Sequence, residues 1–100
     1  MSNVTIMYSL FANTNFNSSI EDWNVSKVTN LNSMFRNNPS FNQDISQWNV
    51  SAVNSMDLMF KSAIHFNQNL TGWDVSNVTS YQLYDNDAVR WEESNKPNFP

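Results

Sequence analysis

From Phe41 to Ala63, in FNQDISQWNVSAVNSMDLMFKSA, the apolar residues fall at spacings of three and two in the first half and of three, one and three further on. Shifting this stretch back by twenty-five residues lands on Phe16, Ile20, Trp23, Val25, Val28, Met34 and Phe35. Shifting it forward lands on Phe66, Leu70, Trp73, Val75 and Val78. Ser2-Asn3-Val4-Thr5 repeats Ser26-Lys27-Val28-Thr29 at a register of twenty-four, and the missing residue lies between Phe11 and Phe16, where a loop absorbs a length change most easily. The chain reads as a repeat array: a partial unit over 1–15, units starting at 16, 41 and 66, and an array ending at 79. Residues 80–100 read as a C-terminal cap and extended tail, because Tyr81, Tyr84 and Asp85 interrupt the apolar positions and Lys96-Pro97-Asn98-Phe99-Pro100 closes the chain.

Within a unit the pattern predicts a strand followed by a helix. Trp48 and Val50, two apart, share one side of a short strand, with Asn49 and Ser51 on the other. Met56, Met59, Phe60 and Ala63 form the inward stripe of a short helix. Thr5, Thr29, Asn54 and Thr79 occupy helix-cap positions, and Gln82 makes a capping box with Thr79. One such unit cannot enclose its own apolar side, so neighbours share a core and equivalent residues stack in columns. The expected fold class is an α/β solenoid, a right-handed stack of about three full strand-helix units with a partial N-terminal unit and a C-terminal cap.

Composition narrows the function. Eighteen Asn and fourteen Ser stand beside a single Gly, a balance that favours turns, left-handed positions and side-chain bonds to the backbone. A net charge of −4 from scattered acids offers no basic patch for nucleic acid. The absence of Cys excludes a disulfide framework, and no apolar stretch is long enough for membrane insertion. The opening residues lack the basic and apolar regions of a signal peptide.

The repeated FNQ-x-I-x-x-W-x-VS-x-V segment and the MF pairs resemble the BspA-like leucine-rich repeat surface proteins, over nearly the whole chain. Ser18-Ser19, where the other units have Gln-Asp or Gln-Asn, departs from that pattern. The resemblance implies an extracellular or cell-surface protein engaged in adhesion.

No constellation suggests catalysis or a cofactor. His65 stands alone in a loop, and the acids lack a calcium-loop pattern, with Asp85, Asn86 and Asp87 offering only a loose cluster. The Trp, Phe and Met columns read as core, and Asn17, Asn42 and Asn67 as a ladder that satisfies backbone groups. Six N-x-S/T sequons follow largely from the repetition itself. The outward strand positions Asp22, Asn24, Ser26, Gln47, Asn49, Ser51, Asp74 and Ser76 remain as the candidate surface for an unknown protein or glycan. The expected function is therefore a non-enzymatic interaction module with no metal and no cofactor. The alternative is a structural subunit that self-associates end to end into filaments, through Val4, Met7, Leu10 and Phe11 of the first unit.

Overall fold

The computed structural model describes residues 5–100. Its inward residues obey one local rule. Where two of them lie three apart, the N–H of the second usually donates to the C=O of the first and closes a tight turn. In the central unit these bonds are Trp48 to Ile45 (3.2 Å), Val53 to Val50 (3.0 Å), Met59 to Met56 (3.3 Å), Ala63 to Phe60 (3.0 Å) and Phe66 to Ala63 (3.2 Å). Such a turn points both flanking side chains inward and leaves the two residues between them outside.

The expected α/β solenoid of strand-helix units is therefore not what forms. Among the described residues the helical structure is a single 3-10 turn, Glu93–Asn95, and extended pairing is limited to two isolated parallel bridges, Asn30 with Ser55 and Ser55 with Ser80. The expected helix is broken twice per unit by left-handed residues: Ser33 and Asn37, Leu58 and Ser62, and Leu83 and Asp87 all have φ between 51° and 61°. A right-handed helix cannot run through such positions. The expected strand is curled by the Asn49–Ser51 and Val50–Val53 turns. The supposed helix caps bond across units instead, Asn54 N–H to Thr29 C=O and Thr79 N–H to Asn54 C=O, each 2.9 Å.

The left-handed turns redirect alternate N–H groups out of the unit. Leu31, Ser33, Phe35 and Asn37 donate to Ser55, Asp57, Met59 and Lys61 at 2.8 to 3.0 Å. Met56, Leu58, Phe60 and Ser62 donate in turn to Ser80, Gln82, Tyr84 and Asn86 at 2.8 to 2.9 Å. At the N-terminal end Ser9, Phe11 and Asn13 donate to Asn32, Met34 and Arg36, one residue out of the usual register because the first unit is shorter. All these bonds point toward the C-terminus, so the stack of turn-built rungs has a polarity.

The core lies inside the rungs. Two Phe columns run through it as face-to-face pairs, Phe11 on Phe16 (3.8 Å), Phe35 on Phe41 (3.9 Å) and Phe60 on Phe66 (4.3 Å). Trp91 closes them edge-on, 4.8 Å from Phe60 and 5.0 Å from Phe66. Trp48 and Trp73 are buried, and each indole N–H donates to an Ile carbonyl of the preceding unit, Ile20 (3.0 Å) and Ile45 (2.9 Å). Those carbonyls also close the turns to Trp23 and Trp48, so the indole uses their second lone pair. Asn38 is the buried polar residue: its amide donates to Phe16 C=O (3.0 Å), and its oxygen accepts from the N–H groups of Ser40 and Phe41.

Left-handed backbone at a residue with a side chain costs about 1–2 kcal/mol, which glycine avoids at the expense of about 0.5–1 kcal/mol of extra chain entropy. Ser62, at φ 60°, tests whether the turn ribbon governs stability. Ser62→Gly should be neutral or up to about 1 kcal/mol more stable in denaturant unfolding, whereas β-branched Ser62→Val should lose about 1–2 kcal/mol. The reverse order would contradict a left-handed Ser62.

Candidate functional site

The polar row proposed from the sequence is built from turns rather than from a strand. Asn24 Oδ1 accepts from the Ser26 N–H (3.1 Å) and hydroxyl (2.7 Å), and Asn49 Oδ1 does the same with Ser51 at 3.0 and 2.7 Å. Asp74 repeats the motif with Ser76 at 3.1 and 2.6 Å. Asn24, Asn49 and Asp74 are exposed, with Asp22 and Gln47 exposed beside them, and Ser26 and Ser51 half-buried. The structure thus brings the row together at the spacing of the rungs, with one oxygen of each Asx side chain engaged in its own turn. The Ser76 hydroxyl, followed by its backbone N–H, holds the Asp74 carboxyl below the usual carboxylate range. Asn69 with Thr71 forms the same closed turn at 3.0 and 2.7 Å, and Asp44 accepts from the Ser46 N–H at 2.9 Å. These two turns were not singled out from the sequence, although an Asx residue two before Ser or Thr was the available signal.

A second ladder connects the units. Asn17, Asn42 and Asn67 accept the N–H of Asn42, Asn67 and Glu92, respectively, at 2.9 to 3.1 Å. Gln43 and Gln68 donate back to the Asn one unit earlier. A third runs from Asn32, which accepts from the Asp57 N–H (2.7 Å), to Asp57, which accepts from the Gln82 N–H (2.8 Å). His65 is exposed, and its Nδ1 lies 2.5 Å from the Pro39 carbonyl, so that nitrogen carries the proton and donates.

The exposed large apolar side chains gather at the two ends of the stack. Ile6, Tyr8 and Leu10 lie at one end, and Tyr81, Leu83 and Val89 at the other, with Ile64 standing apart. Of the end residues named from the sequence, Leu10 is exposed, Met7 is fully buried, Phe11 is half-buried against Phe16, and Val4 lies outside the described residues. Ile6 and Tyr8 were missed because they occupy polar positions of the repeat and so lack the periodic signal.

At the C-terminal end the tail folds back. Phe99 stacks on Tyr81 at 4.1 Å and meets Tyr84 edge-on at 4.8 Å. Lys96 donates to Asp85 (2.8 Å) and Glu93 (2.5 Å), with its ammonium 5.9 Å from the Trp91 ring centroid. Asp85 is thereby engaged by a cation of the chain itself. Among the described residues no group of three His, Cys, Asp or Glu side chains is arranged to hold a metal ion.

Residues 1–96 match the family model described as "Mycoplasma protein of unknown function, DUF285". The chain belongs to the DUF285 family. This membership replaces the resemblance to BspA-like leucine-rich repeats: the family match does not point there, and the turn-built rungs lack the strand-helix unit on which that likeness depended. Curated proteins and solved structures offer no match to this DUF285 chain.

The tail of this DUF285 protein contains two groups that respond to high pH. Burial, reinforced by the Asp85 charge, pushes the Tyr84 phenol up to about 12. For Lys96 burial works downward, but its bonds to Asp85 and Glu93 outweigh it and raise the ammonium above its ordinary value. In an unfolded chain these groups lose protons near about pH 10 to 10.4. Above that the folded state binds more protons than the unfolded one, so stability falls as pH rises. The tail's stabilisation should be complete below about pH 10 and fade toward about pH 12. Melting temperature followed across this range should drop more steeply for the natural chain than for Tyr84→Phe; equal slopes would remove Tyr84 from the effect.

Proposed function

We propose that this DUF285 protein is a non-enzymatic interaction module that presents its polar row, Asp22, Asn24, Ser26, Gln47, Asn49, Ser51, Asp74 and Ser76, to a protein or glycan outside the cell or at its surface. The observation that carries the reading is the repeated Asx-Ser turn. At Asn49 and Asp74 one side-chain oxygen holds the turn, and the rest of the exposed side chain is displayed one rung apart. A rigid row of this kind loses little conformational entropy on binding, which favours recognition of a partner with a matching repeat. The sparse charge of the exterior suits hydrogen-bonded contact better than contact with a polyanion.

The test must change the displayed atoms without opening the turns. Asn49→Asp and Asp74→Asn each keep the accepting oxygen and exchange only the outer atom, and Gln47→Ala removes an exposed amide. Extracellular-matrix proteins and glycans would be screened against the natural chain, and each hit retested with the triple variant. The variant should melt at an unchanged temperature and bind at least about tenfold more weakly. Equal binding by both chains would remove the polar row as the contact surface, and failure to label the protein on intact cells with an antibody would remove the extracellular placement.

A further inference from the structure

The two ends of the stack carry complementary backbone edges. At the N-terminal end the N–H groups of Ser9, Phe11 and Asn13 are used by the next rung, while the carbonyls of Tyr8, Leu10 and Ala12 have no hydrogen-bond partner among the described residues. At the C-terminal end the carbonyls of Gln82, Tyr84 and Asn86 are used by the rung before, while the N–H groups of Leu83, Asp85 and Asp87 have none. The parity that produces these two sets is the one that joins Ser33, Phe35 and Asn37 to Asp57, Met59 and Lys61 inside the molecule. We propose that a second copy of this chain docks head to tail on the C-terminal edge, with Leu83, Asp85 and Asp87 donating to its Tyr8, Leu10 and Ala12.

Side chains follow the same register. Ile6 aligns with Asn30, Ser55 and Ser80, and Tyr8 with Asn32, Asp57 and Gln82. The two exposed apolar residues of the incoming copy therefore fall on a groove of about 310 Å³ lined by Thr79, Ser80, Tyr81 and Gln82. Gln82 also stands at the repeat position where Asn32 and Asp57 accept the N–H one unit on, a position that in this register faces the N–H of the incoming Tyr8. Burying apolar side chains at both ends in one contact, together with edge hydrogen bonds, is the mode of strand addition carried over to a turn ribbon. Because the contact is heterologous and repeats, growth is open-ended.

The tail stands in the way. Met7 and Leu10 of the incoming copy would stack on Tyr81 and Tyr84, and Phe99 already covers both rings. The segment from Lys96 to Pro100 is thus a strap that must swing off before a second copy can dock, and it keeps the isolated chain from polymerising.

Sedimentation velocity over a concentration series tests the proposal. Phe99→Ala, with Lys96→Ala as a second release variant should the first unfold, is expected to associate at about tenfold lower concentration than the natural chain, the upper worth of one aromatic stack. In that background Ile6→Lys/Tyr8→Lys blocks one end and Gln82→Lys/Leu83→Lys the other. Each blocked chain alone should be monomeric, and an equimolar mixture should give a 1:1 dimer and nothing larger. A released variant that is folded by its thermal melt yet stays monomeric would overturn the proposal, as would dimers formed by either blocked chain alone, since they would show a symmetric contact.

Discussion

Up to the last unit, every second backbone N–H along the turn ribbon leaves its own unit and bonds a carbonyl one unit further on. This lateral bonding is the constraint on which the remaining structure depends. It requires a left-handed residue twice per unit, and those residues bear side chains: Ser33 and Asn37, Leu58 and Ser62, Leu83 and Asp87. Their conformational cost, about 1–2 kcal/mol each, is offset where the redirected N–H groups are satisfied by the next unit, in runs such as Met56 to Ser80 through Ser62 to Asn86. A single unit would have the strain without the bonds, so the fold is cooperative along the stack.

The side chains serve the same arrangement. Phe35 on Phe41 and Phe60 on Phe66 fill each rung with paired rings, while the indole N–H groups of Trp48 and Trp73 tie each rung to an Ile carbonyl of the one before. On the outside, Asn and Asp close turns within a unit, as at Asn49, or pass a bond to the next unit, as at Asn42 and Asp57. The abundance of Asn thus reflects work done on backbone groups. It also explains why a surface so rich in amides has few that are free of structural duty.

Polarity at the ends follows from the same rule. A ribbon whose left-handed turns all send their N–H groups the same way leaves carbonyls open along one edge and N–H groups along the other, as at Tyr8 and Leu10 and at Leu83 and Asp85. The apolar side chains exposed at both ends mark places where the repeat has a neighbour on one side only. Phe99, Lys96 and Trp91 cover part of one end, a different chemistry from the lateral bonding they terminate.

The amino-acid sequence alone determined the twenty-five-residue register and the inward residues: Phe41, Ile45, Trp48, Val50, Val53, Met56, Met59 and Phe60 are all buried, as their recurrence implied. It also marked the row containing Asn49 and Asp74 as outward, but not that each Asx oxygen closes a turn. Backbone type was decided only in the tertiary structure. A spacing of three between apolar residues suits a helix with 3.6 residues per turn almost as well as a tight turn, and Met56, Met59 and Phe60 satisfy both. What separates the two is where the N–H of Leu58 or Ser62 finds its acceptor, and that acceptor belongs to another unit. The strap was equally hidden, because Phe99 and Tyr81 are brought together by the end of the stack and by no period in the chain.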